Sequence, residues 1–137
     1  MQNQEIGLSR IGQIAIVIHD LARATTFYRD TLRMRFLFEA PGLAFFDCGG
    51  IRLMLSPPEK AEFDHPGSIL YFTVDAIEET ARTLKDRGVS FEQEPHLLAR
   101  MPTHDLWMAF FRDSEGNPLA LMSEKKPAQQ PSPHATG

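Results

Sequence analysis

Apolar and polar residues follow one another along the chain in a pattern that occurs twice. Residues 14–32 (IAIVIHDLARATTFYRDTL) and residues 70–88 (LYFTVDAIEETARTLKDRG) each predict an apolar strand, a polar break and an amphipathic helix. Each block then continues through short strands to a similar ending, GGIRLML at 49–55 and EGNPLAL at 115–121. A repeat of this length predicts two copies of one module that pair around a shared surface, which is a natural place for a ligand.

The first module is predicted as a strand, a helix and three further strands. The run at residues 11–18 is rich in β-branched residues and predicts a buried strand. Asp20 precedes the helix and is expected to cap it. Residues expected on one face of this helix then follow at helical spacing, at Leu21, Ala24, Thr25, Tyr28 and Leu32. A Pro-Gly pair and a Gly-Gly pair separate the three strands predicted at residues 35–40, 43–48 and 51–56.

The second module repeats this plan. Its first strand is predicted at residues 68–74, with Asp75 as the expected cap of a helix from about Ile77 to Arg87 that ends at Gly88. The strand VSFEQE is followed by a loop, PHLLARMPTHD, which is the least regular part of the folded region. Two closing strands are predicted at residues 106–113 and 118–123.

These elements divide the chain into an arm, one domain and a tail. The domain covers residues 11–124 and consists of module one, a polar linker and module two, at residues 11–56, 57–67 and 68–124. Residues 1–10 form the arm. The tail at residues 125–137 is polar and rich in proline, and it is expected to be disordered.

Composition restricts the classes of function. The formal net charge is −4 with both signs interspersed, and no basic stripe indicates a nucleic-acid surface. Cys48 is the single cysteine, so no internal disulfide is expected and a reducing compartment is the simpler inference. The polar start of the chain does not resemble a signal peptide, and no apolar run is long enough to cross a bilayer. We therefore expect a soluble, cytoplasmic protein with no membrane partner.

Three segments resemble the vicinal oxygen chelate superfamily, which includes glyoxalase I, the bleomycin-resistance proteins and the extradiol dioxygenases. They are IGQIAIVIHDLARATTFYRDTL near the start, ILYFTVDAIEETARTLKDRGV in the middle and WMAFFRDSEGNPLALMSE near the end. The resemblance implies an α+β fold in which two βαβββ modules form an open, partly closed barrel around a small-molecule site. It also implies a homodimer.

The resemblance further implies four metal-ligand positions, on the first and last strands of each module. Matched residue by residue, they fall at Gln13, Met54, Ile69 and Ala120. A divalent ion needs three or four nitrogen, oxygen or thiolate donors, and only Gln13 carries a suitable one. We therefore predict no metal site of the usual kind and no cofactor.

The matched positions define a concave face, because side chains alternate along a strand. This face is expected to bind a ligand through Gln13, Arg52, Met54, Ile69, Tyr71, Thr73, Ala120 and Met122. Such a cup is apolar with a few polar groups, which is typical of a pocket for a small, partly hydrophobic molecule. Arg52 requires an anion, either a substrate carboxylate or phosphate or an acidic neighbour such as Asp47 or Glu39.

The irregular loop is expected to lie at the mouth of this pocket. Its histidines, His96 and His104, are predicted to contact the ligand from a solvated loop, and the alternative is a role in metal binding or proton transfer. Trp107 is expected to belong either to the core or to the pocket wall. Tyr71 offers its hydroxyl to a ligand, to general acid chemistry or to a backbone carbonyl.

Three functions are consistent with these residues. The first is metal-free binding of a small molecule, as in resistance proteins that sequester a drug. The second is an isomerase, lyase or dioxygenase whose catalytic candidates are Tyr71, His96 and His104. It would use either a displaced divalent metal on Gln13, His96 and His104, or Tyr71 and Arg52 without metal. The third is an interaction module whose cup accepts side chains of a protein partner.

Overall fold

The computed structural model describes residues 6–126. Most of the tail predicted as disordered, residues 127–137, lies outside the described residues. The tail was expected to begin at residue 125, but the last strand includes Lys125. This boundary of the prediction is wrong because Lys125 is tied to the fold by a 2.8 Å ion pair with Glu78 of the second helix. No helix within the described range is long and apolar enough to cross a membrane.

Each half of the chain packs a helix against a four-stranded sheet. The first half contains β1 (Gln13–Val17), α1 (Leu21–Thr26), β2 (Arg35–Ala40), β3 (Leu43–Cys48) and β4 (Ile51–Ser56). The second half contains β5 (Leu70–Thr73), α2 (Ile77–Asp86), β6 (Phe91–Arg100), β7 (Asp105–Arg112) and β8 (Pro118–Lys125). The strand orders are β1-β4-β3-β2 and β5-β8-β7-β6, and the sheets do not close into a barrel. The predicted fold class, two βαβββ modules in an open arrangement, is confirmed.

The two sheets repeat the same strand register. The outer strand of each sheet runs parallel to the last strand of its module, so that Ala15 lies opposite Met54 and Tyr71 lies opposite Ala120. Two residues before the Tyr71–Ala120 pair, the same register puts Ile69 opposite Pro118. This pair corresponds to Gln13 and Arg52 in the first sheet. The equivalence that the sequence repeat predicts between Met54 and Ala120 is therefore confirmed.

The two helices begin differently. The Asp20 carboxylate accepts a hydrogen bond from the backbone N–H of Arg23 at 3.1 Å, which confirms the predicted cap of α1. That helix continues as a π-helical turn, Phe27–Thr31. The predicted cap of α2 by Asp75 is wrong, because Ala76 occupies the N-cap and no side chain caps it. The Asp75 carbonyl instead accepts a hydrogen bond from the Ser123 hydroxyl at 3.2 Å.

The loop predicted at residues 95–105 is for the most part a β-hairpin. The strand β6 extends to Arg100, and β7 begins at Asp105. The prediction of a loop is wrong: Pro95 does not end β6, which lies at the edge of its sheet. On an edge strand a proline is tolerated, and the register shifts between Gln93 and His96 accommodate it.

One hydrophobic core spans both modules. Apolar side chains on the helix side of the sheets form part of this core: Ile16, Ile18, Leu53, Leu55, Leu119 and Leu121 are buried, and Ile14 is half-buried. Within this core the fully buried Tyr28 of the π-helical turn donates a 2.7 Å hydrogen bond to Asp113, which follows β7. A second link joins the Asn117 amide to the Val17 carbonyl at 3.1 Å. The helix-bearing sides of the two sheets therefore share the core, and the opposite sides are left to form the site.

Candidate functional site

Two rows of side chains cross the concave face of the first sheet. The strand register aligns Gln13, Arg52, Asp47 and Arg35 from β1 to β2, and we call these residues the charged row. Two positions further along β1 and β4, the register aligns Ala15, Met54, Phe45 and Phe38, and we call these residues the apolar row. A row of charge therefore runs beside a row of apolar side chains.

Arg52 is oriented by its neighbours on this face. Its Nε donates a 2.8 Å hydrogen bond to Gln13 Oε1, and its guanidinium carbon lies 5.6 Å from the centroid of the Phe45 ring. Asp47 faces Arg52 across the strands, yet within residues 6–126 Arg52 forms no ion pair with Asp47, Glu39 or any other acid. The guanidinium is therefore oriented by a neutral amide and an aromatic ring, and not by an acid of the described residues.

Aromatic rings cover both concave faces. Phe38 stacks on Phe45 with ring centroids 4.6 Å apart and planes at 25°, although Phe38 is 48% exposed. On the second sheet Tyr71 and Phe110 flank Ala120 from the two neighbouring strands, and their ring centroids are 6.0 Å apart. Strands two places apart are separated by about 9.6 Å, so these rings lean toward each other over Ala120, which is fully buried.

The four metal-ligand positions do not form a set that suits a divalent ion. Gln13 is committed to two neighbours, because Oε1 accepts from Arg52 and Nε2 lies 3.8 Å from the Met54 sulfur. Met54 offers a thioether, Ile69 an alkyl group 37% exposed just before β5, and Ala120 a buried methyl group. One neutral amide among four positions is too few donors. In the described part of the chain no group of three or more His, Cys, Asp or Glu residues is placed to hold a metal.

The other predicted contacts are only partly brought together. Thr73 and Met122 are direct neighbours on β5 and β8. His96 lies opposite Met108, whereas His104 lies just before β7, four residues before Met108. This spacing corresponds to about 13 Å along the strand. His104 lies instead 3.1 Å from Thr103 Oγ1 and 3.9 Å from Glu124, so the two histidines do not share a site.

Trp107 lies on the opposite side of the second sheet from the concave face. It packs against the hydrophobic core, and the Lys125 ammonium is 4.4 Å from its ring centroid. Lys125 also pairs with Glu78 at 2.8 Å, and this hydrogen bond lowers the pKa of the Glu78 carboxyl. Of the two roles that the sequence leaves open, core and pocket wall, the geometry favours the core.

A polar cluster that sequence reasoning missed lies where the modules and the linker meet. His19 Nε2 is 2.9 Å from Asp64 Oδ1, and His19 Nδ1 is 3.3 Å from Glu115 Oε1. Glu115 also accepts hydrogen bonds from the backbone N–H groups of His19 and Asp20. The hydrogen bond and charge of Asp64, followed by those of Glu115, raise the pKa of His19. No sequence spacing connects these residues, so only the fold reveals the cluster.

Two cavities lie at the borders of the modules, and each reaches one of the two rows. Arg35 and Asp47 of the charged row line one cavity, and Ala15 of the apolar row lines the other. One of about 520 Å³ lies between α2 and the ends of β2 and β3, and the other, of about 530 Å³, lies between β1 and β5. None of the four metal-ligand positions lines either cavity. Cys48 lines the first, and burial, together with the charge of Asp47, raises the pKa of its thiol. A thiol with a raised pKa is a poor nucleophile, which agrees with a structural Cys48.

The family model described as the Glyoxalase/Bleomycin resistance protein/Dioxygenase superfamily matches residues 10–121. A superfamily member from Sphaerobacter thermophilus is similar in structure, with a TM-score of 0.72 and 23% identity over 85% of this chain and 98% of that one. No curated protein sequence gives a significant match.

Two further solved structures that are similar to this chain differ in function. An antibiotic binding protein from Streptomyces sp. CB03234 has a TM-score of 0.71 and 22% identity, over 88% of this chain and 100% of that one. A lactoylglutathione lyase from Agrobacterium tumefaciens has a TM-score of 0.68 and 24% identity, over 85% of this chain and 95% of that one. At this level of identity the likeness concerns the fold alone.

Proposed function

Because the chain belongs to the Glyoxalase/Bleomycin resistance protein/Dioxygenase superfamily, we propose that it binds a small, partly hydrophobic molecule without a divalent metal. The observation that carries this proposal is the state of Gln13. The Gln13 side chain is the only suitable donor among the four metal-ligand positions, and its Oε1 already accepts a hydrogen bond from Arg52. The side chains at the other three positions carry no oxygen, nitrogen or thiolate. The concave face is therefore proposed to bind a small molecule although its metal-ligand positions lack the side chains that hold a metal.

The fold does not decide between binding and catalysis, since one architecture hosts many functions. The similar structures include both a lyase and an antibiotic binding protein. The residues of this chain favour the binder, because they supply an apolar row and an oriented cation. The enzyme remains the competing outcome, and the Tyr71 hydroxyl, which forms no hydrogen bond within residues 6–126, is its best candidate for acid chemistry without metal.

A second copy of the chain is the proposed cover of the concave faces. Phe38, Ile69 and Tyr71 expose 48%, 37% and 45% of their surface on these faces. Large apolar side chains gathered on one side of a sheet are typical of an interface or a ligand site. In a homodimer the faces of two chains would enclose the ligand, and a stable interface needs about 800 Å² from each partner. The cytoplasmic location expected from the sequence stays a prediction.

The function is tested by a thermal-shift screen of small molecules with and without a chelator. A ligand at a hundred times its dissociation constant should stabilise the fold by about 2.7 kcal/mol, whether or not the chelator is present. Met54→Glu places a negative charge in the centre of the apolar row, beside Arg52, and should abolish this shift. Leu8→Glu is the matched control, because Leu8 is a fully exposed apolar residue in the arm.

Two results would contradict the proposal. The first is stoichiometric metal in the purified protein together with loss of binding in chelator, which would favour the enzyme with a displaced metal. The second is equal binding by the Met54→Glu and Leu8→Glu variants. Analytical ultracentrifugation tests the homodimer separately. A monomer at all protein concentrations would contradict the proposal that a second copy covers the concave faces.

A further inference from the structure

The charged row and the apolar row together select a class of ligand. Phe38 and Phe45 present a flat stack, and the Arg52 guanidinium lies over the Phe45 ring at 5.6 Å. A cation is therefore held at the edge of an exposed aromatic surface. Resting on the proposed function, we infer that the ligand is a planar aromatic anion, such as an aromatic carboxylate.

The cation has free capacity for an anion. A guanidinium carries five N–H donors, and Arg52 uses one of them, at Nε, on Gln13. No hydrogen bond from its Nη atoms to a residue of the described range is present, so one carboxylate could be held by two parallel bonds. The acid nearest along the row is Asp47, and Arg35 follows it on β2, so the row carries a net charge of about +1. An anion is thus favoured over a neutral or cationic ligand.

The aromatic stack makes a planar ligand preferable to a chain. A ring that lies against Phe38 continues an offset stack, which an acyl chain cannot do because it has no π face. Inorganic phosphate could reach Arg52 but would leave the exposed ring of Phe38 in water. The two rows are neighbours on the same strands, so one ring of ordinary size can contact the apolar row while its carboxylate reaches Arg52.

Calorimetry with four probes tests this inference. They are 2-naphthoate, its uncharged analogue 2-naphthamide, octanoate and inorganic phosphate. We expect 2-naphthoate to bind at least about tenfold more tightly than the other three, because each of them lacks the ring, the charge or the apolar contact. Arg52→Gln should weaken 2-naphthoate by about 10- to 100-fold and leave 2-naphthamide almost unchanged.

Two further variants separate charge from shape. Phe38→Leu keeps an apolar side chain but removes the stack, and it should weaken 2-naphthoate by about 2- to 10-fold. Asp47→Asn removes a negative charge opposite Arg52 and should tighten 2-naphthoate, most clearly at low salt. Arg29→Gln is the matched control. Its guanidinium also lies over a ring, that of Phe36 at 6.0 Å, but it is paired with Asp30.

The outcomes distinguish the ligand class from the proposed function. Equal affinity for 2-naphthoate and octanoate would overturn the inference that the ligand is an aromatic anion. A loss of 2-naphthoate affinity in Arg29→Gln as large as in Arg52→Gln would also overturn it. Binding of other molecules in the thermal-shift screen, with sensitivity to Met54→Glu, would then still support the binding function. Circular dichroism of each variant verifies that a loss of affinity is not a loss of fold.

Discussion

Removing one phenolic hydroxyl should loosen the contact between the two modules. Tyr28 is fully buried and donates a 2.7 Å hydrogen bond to Asp113, which is 6% exposed. Burial and the nearby Asp113 charge both raise the pKa of Tyr28, so the hydroxyl stays protonated and remains a donor. A hydrogen bond to a charged group contributes about 1.5–3 kcal/mol.

The lower part of this range applies to Tyr28→Phe. Asp113 keeps three other donors, namely the backbone N–H groups of Glu115 and Asn117 at 2.8 Å and the Asn117 amide at 3.0 Å. The carboxylate is therefore not left without partners, and we expect a loss of about 1.5–2 kcal/mol in the free energy of unfolding. An unfolding entropy of about 0.3 kcal/mol/K for 137 residues converts this loss to a fall of about 5–7 °C in Tm.

Urea and thermal denaturation at one fixed protein concentration measure this loss, since an oligomer would make Tm depend on concentration. Tyr71→Phe is the matched control, because Tyr71 is 45% exposed and its hydroxyl bonds to no residue of the described range. It should change the free energy of unfolding by less than about 0.5 kcal/mol. Equal stabilities of the two variants would refute the role of the Tyr28 hydrogen bond in joining the modules.

Two other predictions concern pH and backbone conformation. Asp64 and then Glu115 raise the pKa of His19 above 6.5, so the stability this histidine contributes is fully present below pH 6.5 and is lost as pH rises through the raised pKa. His19→Gln should therefore reduce the difference between urea midpoints at about pH 5.5 and about pH 8.5, and an unchanged difference would count against the cluster. Gly50 has φ +93°, so Gly50→Ala should cost about 1–2 kcal/mol in a denaturation experiment. Gly67→Ala, at ordinary φ with open space around it, should cost almost nothing, and equal costs would argue against strain in this turn.

The elements of the fold were predictable because their signals are local. The bounds of β2, β3 and β4 agree with the prediction, since glycine-containing turns separate three short apolar runs. The hairpin around residues 95–105 was missed for a reason that is not local. Whether Pro95 breaks a strand depends on whether that strand lies at the edge of its sheet, and the sheet order is a property of the whole module.

Contacts between modules were beyond local reasoning. Tyr28 and Asp113 are 85 residues apart, and His19 and Glu115 are 96 residues apart. From the sequence, the segment after β7 is predicted only to be a turn. In the fold the two carboxylates of this turn connect the modules. Asp113 accepts hydrogen bonds from the Tyr28 hydroxyl of module one and from a backbone N–H of its own turn, and Glu115 accepts one from the backbone N–H of Asp20 before α1. Such pairs follow from the packing of the modules, which the repeat predicts only in outline.

The candidate site shows the same division, and it links two conclusions that were separate in the sequence. The sequence indicated that Arg52 needs a partner and that Gln13 is a lone metal donor, but it did not connect them. The parallel register of β1 and β4 does, because it sets Gln13 opposite Arg52, and a slip of one residue would turn one of the two side chains to the other face of the sheet. A guanidinium at this position repels a divalent cation and occupies the one suitable ligand atom, while its remaining donors attract an anion. Replacing Arg52 with a neutral residue should thus weaken anion binding without creating a metal site, since Met54, Ile69 and Ala120 would still supply no suitable donor.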